Sequence, residues 1–496
     1  MSTELQGARP AAAAEEAAEH QGILDTIVRE GRFGPAGPAQ ARGRDLVKRF
    51  VEEVLDGTMA VGPDTEAMLN ARIAQIDALL SAQLREIMHH PEFQRLEATW
   101  RGLKYLLSQS ETGANLKIKV LNASKKELLT DLRKAPEFDQ SALFKKVYEE
   151  EYGVFGGAPF AALLGDYEFG RDGQDIELLS KVSQVAAAAH APFITGASSN
   201  MFNLESYTQL DAPRDLAKIF DTTEYALWKA FRESEDSRYV ALTLPRMLLR
   251  DPYGRNGVPV DAFDYDEGVD GTEHGRYLWG NAAWALGARV TQAFGTYGWC
   301  ATIRGVESGG LVEGLPVHTF KTDAGDVAMK CPTECSITDR REKELADLGF
   351  APLVHCKGTP KAAFFSVQSA QKPRVYDSDA ATGNARISAQ LPYIFAVSRF
   401  AHYLKSMMRD KIGGYTSRSQ AETFLNRWIS NYVVANDDAS AEVKSKRPLR
   451  DARIDVVEIP GKPGAYRAVA FLRPHFQLDE LSVSMRLVAD LPAPAA

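Results

Sequence analysis

The stretch Ala452-Arg-Ile-Asp-Val-Val-Glu-Ile-Pro-Gly-Lys-Pro-Gly-Ala-Tyr-Arg-Ala-Val-Ala-Phe-Leu472 predicts a β-hairpin. Two runs that suit a pleated strand, 452–459 and 465–472, flank a turn of prolines and glycines around one lysine. A third run, Leu481-Ser-Val-Ser-Met-Arg-Leu487, alternates strictly between apolar and polar residues. An exposed alternating strand presents unpaired backbone groups, which are a template for pairing with another chain. These C-terminal strands therefore indicate a subunit of a larger assembly.

Helical patterns precede these strands. Residues 387–412 predict one long helix, which Gly413-Gly414 stops, and residues 419–434 predict a second. Further back, residues 182–190 and 277–294 also have helical spacing. The last third of the chain is thus expected to place long helices beside its strands.

Short strands and a helical N-terminal part complete the pattern. Residues 161–164 and 240–244 predict buried strands, and the alternation of 116–121 predicts a half-buried one. Apolar residues recur at helical spacing over 43–56, over 63–90 and again from Leu96 to Leu107.

The predicted fold is therefore α+β, a mixed multi-domain fold with a helical N-terminal part, a mixed α/β middle and C-terminal strands. We expect an N-terminal extension at 1–60, a mixed α/β body at 61–385 and a C-terminal domain at 386–496.

A short amphipathic segment lies near the N-terminus, at 21–32. Its apolar residues share one narrow helical face: Ile23, Leu24, Ile27 and Val28. A helix this short is marginal alone in water. It either docks on its own body or is a peptide for the groove of a partner.

Composition limits the classes of function. The net charge of −8 argues against a nucleic-acid partner bound through a basic surface. The N-terminal residues do not resemble a signal peptide, and no run of about 18 apolar residues predicts a transmembrane helix. Four cysteines in 496 residues do not make a disulfide framework, so reduced thiols in a cytoplasmic protein are expected.

Enzyme motifs are missing from the sequence. It contains no Walker loop, no Gly-x-Gly-x-x-Gly, no His-Glu-x-x-His and no Gly-x-Ser-x-Gly. The glycine-rich stretch 305–310 lacks the lysine of a phosphate cradle and is expected to be a turn. The carboxylates of Glu149-Glu-Glu151 lie in a charged run typical of a solvated face.

Two thiol-based sites remain as alternatives. Cys331, Cys335, His355 and Cys356 could hold zinc, although the last two are adjacent and cannot both reach one tetrahedral ion easily. Cys300, with His318 as base, is the candidate nucleophile of a thiol enzyme, but its apolar neighbours favour an inert, protonated thiol. No catalytic residue, metal site or cofactor is expected.

Longer blocks of the sequence resemble a known family. One is His90-Pro-Glu-Phe-Gln-Arg-Leu-Glu-Ala-Thr-Trp-Arg-Gly-Leu-Lys-Tyr-Leu106, and others lie at 138–153, 310–320, 395–405 and 468–478. They are similar to the large subunit of the type VI secretion contractile sheath, the TssC or VipB family. The resemblance covers the chain from about residue 60 to its end.

The resemblance implies a structural function without catalysis. Such subunits pair with a small subunit, TssB, and stack helically with further copies of themselves around a tube of Hcp rings. The sheath extends from baseplate components and contracts to propel the tube, and the ATPase ClpV takes the contracted form apart. A related phage-tail-like injection machine is the alternative within this class.

Roles for particular residues follow from the resemblance. The apolar face of 21–32 would bind ClpV, and the helix end with Lys405, Arg409, Asp410 and Lys411 would contact the Hcp tube. The residues expected in strands shared between subunits are Ile454, Val456, Val469, Phe471, Leu481, Val483, Met485 and Leu487.

Overall fold

The computed structural model describes residues 38–56, 65–212, 215–254, 257–322, 325–414, 417–436, 438–461, 465–475 and 477. They divide into two compact units, one of residues up to Gln83 with Asp261–Tyr265, and a larger one of Leu84–Val260 with residues from Asp266 onward. Helices and several separate sheets confirm the predicted α+β class. Within the described ranges, every helix is too short or too polar to cross a membrane.

The smaller unit contains helix α1 (Pro38–Leu55) and most of α2 (Thr65–Met88). Both confirm helices expected from the sequence, at 43–56 and 63–90. Helix α1 starts earlier than expected, at Pro38, because proline is well placed in a first turn, where its missing N–H has no partner to lose.

The larger unit begins at Leu84, within the last turns of α2, and helix α3 (Pro91–Ser108) is the first helix that lies wholly inside it. The ring of His90 accepts a hydrogen bond from the backbone N–H of Glu92 at 3.4 Å, and Pro91 occupies the first helical position.

The predicted strand at 116–121 is wrong, because these residues have no regular secondary structure. Leu116 and Ile118 are half-buried while Lys117 and Lys119 are exposed, so the alternation reflects burial only up to Ile118, because Val120 is 69% exposed. Alternation alone does not make a strand, since a strand also needs a neighbour to complete its backbone hydrogen bonds. None of the described strands pairs with this segment.

The larger unit continues with both helices and strands. The helices are α4 (Lys125–Lys134), α5 (Gly173–Ala189), α6 (Leu216–Phe220), α7 (Ala226–Glu233), α8 (Ala283–Tyr297), α9 (Asp339–Asp347), α10 (Asp379–Ser388), α11 (Leu391–Asp410), α12 (Arg418–Ile429) and α13 (Ala441–Lys446). The strands are β1 (Leu163–Phe169), β2 (Phe193–Ala197), β3 (Val240–Leu244), β4 (Met247–Leu248), β5 (Trp279–Gly280), β6 (Leu311–Val312), β7 (Thr319–Lys321), β8 (Val327–Met329), β9 (Phe350–His355), β10 (Ala362–Phe364), β11 (Leu449–Glu458) and β12 (Tyr466–Pro474).

A central sheet has the strand order β1-β2-β3-β9-β10-β6. The first four strands in this order are parallel, and β10 and β6 add antiparallel pairs. Strand β3 confirms the prediction at 240–244, and β1 overlaps the one at 161–164. The helix expected at 277–294 starts later, at Ala283, because Trp279–Gly280 pairs instead with β4.

Apolar side chains cover both faces of this sheet. Val240 and Leu242 point into a cluster with residues of α5, whereas Ala241 between them points into a second cluster with residues of α8. This alternation is the two-residue period of a strand. The sheet is therefore the middle layer between helices.

Helix α11 (Leu391–Asp410) confirms the long helix predicted at 387–412 but starts later, and a separate helix, α10, ends just before it at Ser388. Gln390 between them has an extended backbone, with ψ 134°, and Pro392 lies in the first turn of α11. A continuous helix would place Pro392 in its interior, where it removes a hydrogen bond and clashes with the preceding turn. The break therefore follows from that one residue.

A third apolar cluster joins α11, α12 and the C-terminal hairpin. It contains Phe400, Leu425, Ile454 and Val456, and Trp299 from the middle of the chain adds its ring, stacked on Phe400 with centroids 4.2 Å apart. Helix α12 starts with a capping box and ends at Ile429, earlier than the predicted 434.

Candidate assembly surfaces

The C-terminal hairpin confirms the strands predicted at 452–459 and 465–472. Strands β11 and β12 are antiparallel, with Ile454 opposite Ala470 and Val456 opposite Ala468. Ile454 and Val456 are buried in the cluster beneath α12, whereas Val469 and Phe471 are exposed. The predicted strand-sharing residues therefore lie on opposite faces of one hairpin.

Side chains of α12 cover the outer edge of β11. The Asn426 amide donates to the Ile454 carbonyl at 2.6 Å and accepts from the Ile454 N–H at 3.0 Å. The Val456 N–H donates to the carboxylate of Glu422 at 3.1 Å. Asn426 and Glu422 thus take the place of a neighbouring strand along the middle of this edge.

Within the described ranges, the outer edge of β12 has no such cover. Residues opposite each other in an antiparallel pair share an orientation, so Ala470 and Ala468 turn their N–H and C=O groups outward as Ile454 and Val456 do. Among the described residues, none outside the hairpin forms a hydrogen bond with the backbone of Ala468 or Ala470. In the described part of the chain, the outward backbone groups of these two alanines are therefore uncovered.

Replacing Asn426 by leucine is expected to destabilise the chain by about 1–3 kcal/mol, because the backbone groups of Ile454 lose both partners at a half-buried edge. The uncovered edge should also increase aggregation. Thermal unfolding with light scattering measures both effects. Thr423→Leu, an exposed change on the same helix, is the control. Equal melting and scattering for the two variants would contradict the role given to Asn426.

Other predicted surface residues lie outside the described residues. They are Ile23, Leu24, Ile27 and Val28 near the N-terminus and Leu481, Val483, Met485 and Leu487 near the C-terminus.

The basic end of α11 is engaged within the chain. Lys405 donates to the hydroxyl of Tyr148 at 2.9 Å, and its ammonium lies 3.6 Å from the ring centroid of Tyr152. Arg409 donates to the carbonyls of Tyr152 and Val154 at 2.7 and 2.6 Å.

The two remaining residues of the predicted tube contact, Asp410 and Lys411, are exposed, and the ammonium of Lys411 lies 4.5 Å from the ring centroid of Phe424. The sequence showed four charges at a helix end but not that Lys405 and Arg409 fasten α11 to the segment 148–154. Contact with a tube stays a prediction.

A buried histidine, His402, and a half-buried one, His190, lie at the same junction. The ring of His402 donates from Nε2 to the carbonyl of Ala189 at 2.8 Å, and His190 contacts the hydroxyl of Tyr239 at 3.1 Å. Burial lowers the pKa of His402 to about 4, and the nearby charges of Arg399 and Lys405 add to this effect. Burial likewise lowers the pKa of His190. Both rings are therefore neutral at pH 7.

Acid is expected to loosen this junction. The unfolded chain protonates His402 near its ordinary pKa of about 6.5, so stability falls as the pH drops from about 6.5 to about 4. The full shift corresponds to about 3 kcal/mol. His402→Gln keeps a donor for Ala189 but does not titrate, so its stability should depend less on pH. Denaturant unfolding at pH 7 and pH 4.5 measures the difference, and equal pH dependence in both proteins would count against this assignment.

The candidate thiol nucleophile does not assemble with its base. Burial raises the pKa of the Cys300 thiol to about 12. The buried ring of His318 is paired instead with the hydroxyl of Tyr277, at 2.7 Å from Nδ1. The structure thus assigns these two residues to separate packing environments.

The candidate zinc residues also lack a suitable arrangement. The Cys331 sulfur lies 3.2 Å from the hydroxyl of Thr333. Burial acts to raise the pKa of Cys331, but hydrogen bonds with His355 and Thr333 outweigh it and lower the pKa overall. Burial raises the pKa of Cys335. In the part of the chain that the structure describes, no three His, Cys, Asp or Glu side chains are grouped to hold a metal ion.

Sequence reasoning missed Asn426 and Glu422. They lie four residues apart on α12, so they share a helix face, but polar residues at such a spacing usually mark solvent. The sequence signal that could have found them is the presence of apolar Leu425 and Ile429 on nearly the same face of the helix. Both of these residues are buried in the structure.

Comparisons with known proteins identify the family of this chain. The VipB family model, described as an EvpB tail sheath N-terminal domain, matches residues 70–371. A second model, the tail sheath gpW/gp25-like domain, matches 380–491. The type VI secretion system sheath protein TssC1 of Pseudomonas aeruginosa is 50% identical over 463 residues, covering 92% of this chain and 93% of that protein.

Two solved assemblies show weaker likeness. The anti-feeding prophage baseplate structure aligns with a TM-score of 0.34 at 9% identity, covering 63% of this chain and 66% of that chain. The contracted helical sheath of the same prophage aligns with a TM-score of 0.31 at 10% identity, covering 64% and 67%. The family predicted from the sequence blocks is confirmed by the family models and the TssC1 relative, and with it a structural role without catalysis. This chain belongs to the VipB family of tail sheath proteins.

Proposed function

We propose that this chain is the large subunit of a type VI secretion sheath that links its subunits through the free edge of β12. The observation that carries this proposal is the asymmetry of the C-terminal hairpin. Its β11 edge is covered by Asn426 and Glu422, while the outward groups of Ala468 and Ala470 are uncovered among the described residues.

A strand added at one edge suits a polymer. Each backbone hydrogen bond contributes about 1 kcal/mol net, so a few bonds per link give a connection that repeats in every subunit. An edge that accepts a strand from a different surface makes a head-to-tail contact, which propagates into a helical array and does not close into a dimer. The predicted strand at Leu481–Leu487 is the donor from a neighbouring subunit.

Partners follow from the proposed function. The small subunit TssB pairs with this chain, and the heterodimers surround the Hcp tube in the cytoplasm and dock on the baseplate. The apolar face of residues 21–32 binds ClpV after contraction. The end of α11 approaches the tube, where the exposed Asp410 and Lys411 are the contacting charges because Lys405 and Arg409 are engaged with 148–154.

Co-expression with a small sheath subunit tests the proposal. Negative-stain electron microscopy of the purified complex is expected to show hollow tubes with a cogwheel cross-section. Hcp added during assembly should be enclosed in these tubes. Recovery of this chain free of the small subunit, and without tubes, would overturn the proposed function.

A further inference from the structure

Cys331 and His355 form a hydrogen-bonded pair of side chains beside the central sheet. Cys331 follows β8 at a distance of two residues, and His355 is the last residue of β9. A hydrogen bond joins the sulfur of Cys331 to the imidazole ring of His355. Both residues are half-buried, so the pair is held by its surroundings but is still partly reached by solvent.

A second hydrogen bond orients the ring of His355. Its Nε2 lies 2.9 Å from the carbonyl oxygen of Thr359. A carbonyl oxygen only accepts, so Nε2 carries a proton and Nδ1 is the nitrogen left for the thiol of Cys331. A nucleophile, a base within hydrogen-bond reach and a third group that orients the base make up the usual arrangement of an activated side chain.

The backbone that follows Cys331 is fixed in place and adds a donor to the sulfur. The N–H of Leu248 in β4 donates to the carbonyl of Pro332 at 2.8 Å. The backbone N–H of Thr333 donates to the sulfur of Cys331. The hydroxyl of Thr333 lies 3.2 Å from the same sulfur but donates to the carbonyl of Cys335 at 2.8 Å. The Thr333 N–H and the His355 ring are therefore the donors that stabilise a negative charge on the sulfur.

The environment of Cys331 differs from that of the buried thiols. Burial raises the pKa of Cys300 to about 12 and also raises the pKa of Cys335, so both stay protonated. Burial acts in the same direction on Cys331, but the hydrogen bonds outweigh it and lower its pKa. Burial acts to lower the pKa of His355, but the bond with Cys331 outweighs it and raises that pKa. Each partner thus stabilises the charged form of the other, and the thiolate is the reactive form of cysteine.

We propose that Cys331 is a modification site at which the chain forms a mixed disulfide with a small disulfide of the glutathione type. His355 takes the proton of the thiol on Nδ1, and the thiolate attacks one sulfur of the small disulfide. A new S–S bond forms at Cys331 as the old one breaks, and the departing thiolate takes the proton back from His355. Cys331 is oxidised and the departing thiol is reduced, so the exchange needs no further oxidant. This role is separate from the proposed function.

Peptide mass spectrometry of the full chain incubated with oxidised glutathione tests the proposal. At pH 7, Cys331 is expected to be modified several-fold faster than Cys356, although Cys356 is the more exposed thiol. The buried Cys300 and Cys335 should stay unmodified, and their protection shows that the chain is folded during the reaction. Modification of Cys331 no faster than that of Cys356 would overturn the proposal.

The variant His355→Gln separates activation by the ring from exposure alone, because glutamine donates hydrogen bonds but does not take up a proton. Modification of Cys331 at pH 7 is expected to become about tenfold slower, with its pH profile shifted to higher pH. Cys356 in the same molecules should react as before. Lys330 and Cys335, the other titratable groups that interact with Cys331, are unchanged in this variant. An unchanged rate and pH profile for Cys331 would overturn the proposal. Reaction of the buried thiols would show that the variant is unfolded, and the comparison within the wild-type chain would then decide.

Discussion

Replacing Ala470 by proline is expected to abolish tube formation while leaving a folded, soluble heterodimer. The N–H of Ala470 points away from β11, so proline at this position removes no hydrogen bond inside the hairpin. It does remove a donor from the free edge and places a ring where an incoming strand must lie. The loss of about 1 kcal/mol per hydrogen bond recurs at every link of the lattice, so a modest local effect prevents assembly.

Electron microscopy of the co-expressed complex measures the result. Ala470→Ser is the matched control, because serine keeps the backbone N–H and is only slightly larger than alanine. It should form tubes like the wild-type chain. Tubes of normal length from Ala470→Pro would show that subunits are not linked through the β12 edge.

Replacing Arg409 by glutamine is expected to release the end of α11 from the body of the chain. The guanidinium donates to two carbonyls, of Tyr152 at 2.7 Å and of Val154 at 2.6 Å. Hydrogen bonds from a charged group are worth about 1.5–3 kcal/mol each, and at this half-buried position the net loss is expected to be close to that of one such bond. Glutamine reaches less far and donates without charge.

Hydrogen exchange across residues 145–155 measures this release directly. Exchange in this segment should become faster by one to two orders of magnitude, as expected for a loss of about 1.4–2.8 kcal/mol of local protection. Arg427→Gln, an exposed position on the neighbouring helix α12, is the control and should leave exchange unchanged. Equal exchange in both variants would mean that the contacts of Arg409 contribute little to the junction.

Local patterns in the sequence predicted many secondary-structure elements, and the failures have physical causes. The hairpin was predictable because its two runs of strand-forming residues flank a short stretch rich in proline and glycine, which favour turns. The strand at 116–121 was wrong because alternation reports a buried side, not the presence of a neighbouring strand. The helix predicted from 387 starts instead at Leu391, because Pro392 belongs in a first helical turn while the apolar spacing begins earlier.

The candidate surfaces were predictable only in part. Helix α3 has an apolar stripe that is exposed in the described chain, but in the sequence its spacing looked like that of any core-facing helix. Only the packing of Gly102 against Trp284, residues far apart in the chain, shows that the core lies on the other side. From the sequence alone, the basic end of α11 likewise looked like an exposed charged surface. The structure shows that Lys405 and Arg409 bind Tyr148 and Tyr152, which lie more than 250 positions earlier in the chain.

By itself, the sequence determined the family, the α+β class and the presence of a C-terminal hairpin, because these depend on residue order and on the local periods of helix and strand. The tertiary structure decided which edge of that hairpin is covered by other described residues of the chain. Asn426 and Glu422 reach β11 from 28 and 34 residues away. A strand edge is open or covered according to what packs beside it in space, and within the described ranges two side chains on α12 cover β11 while none covers the outward groups of Ala468 and Ala470 in β12.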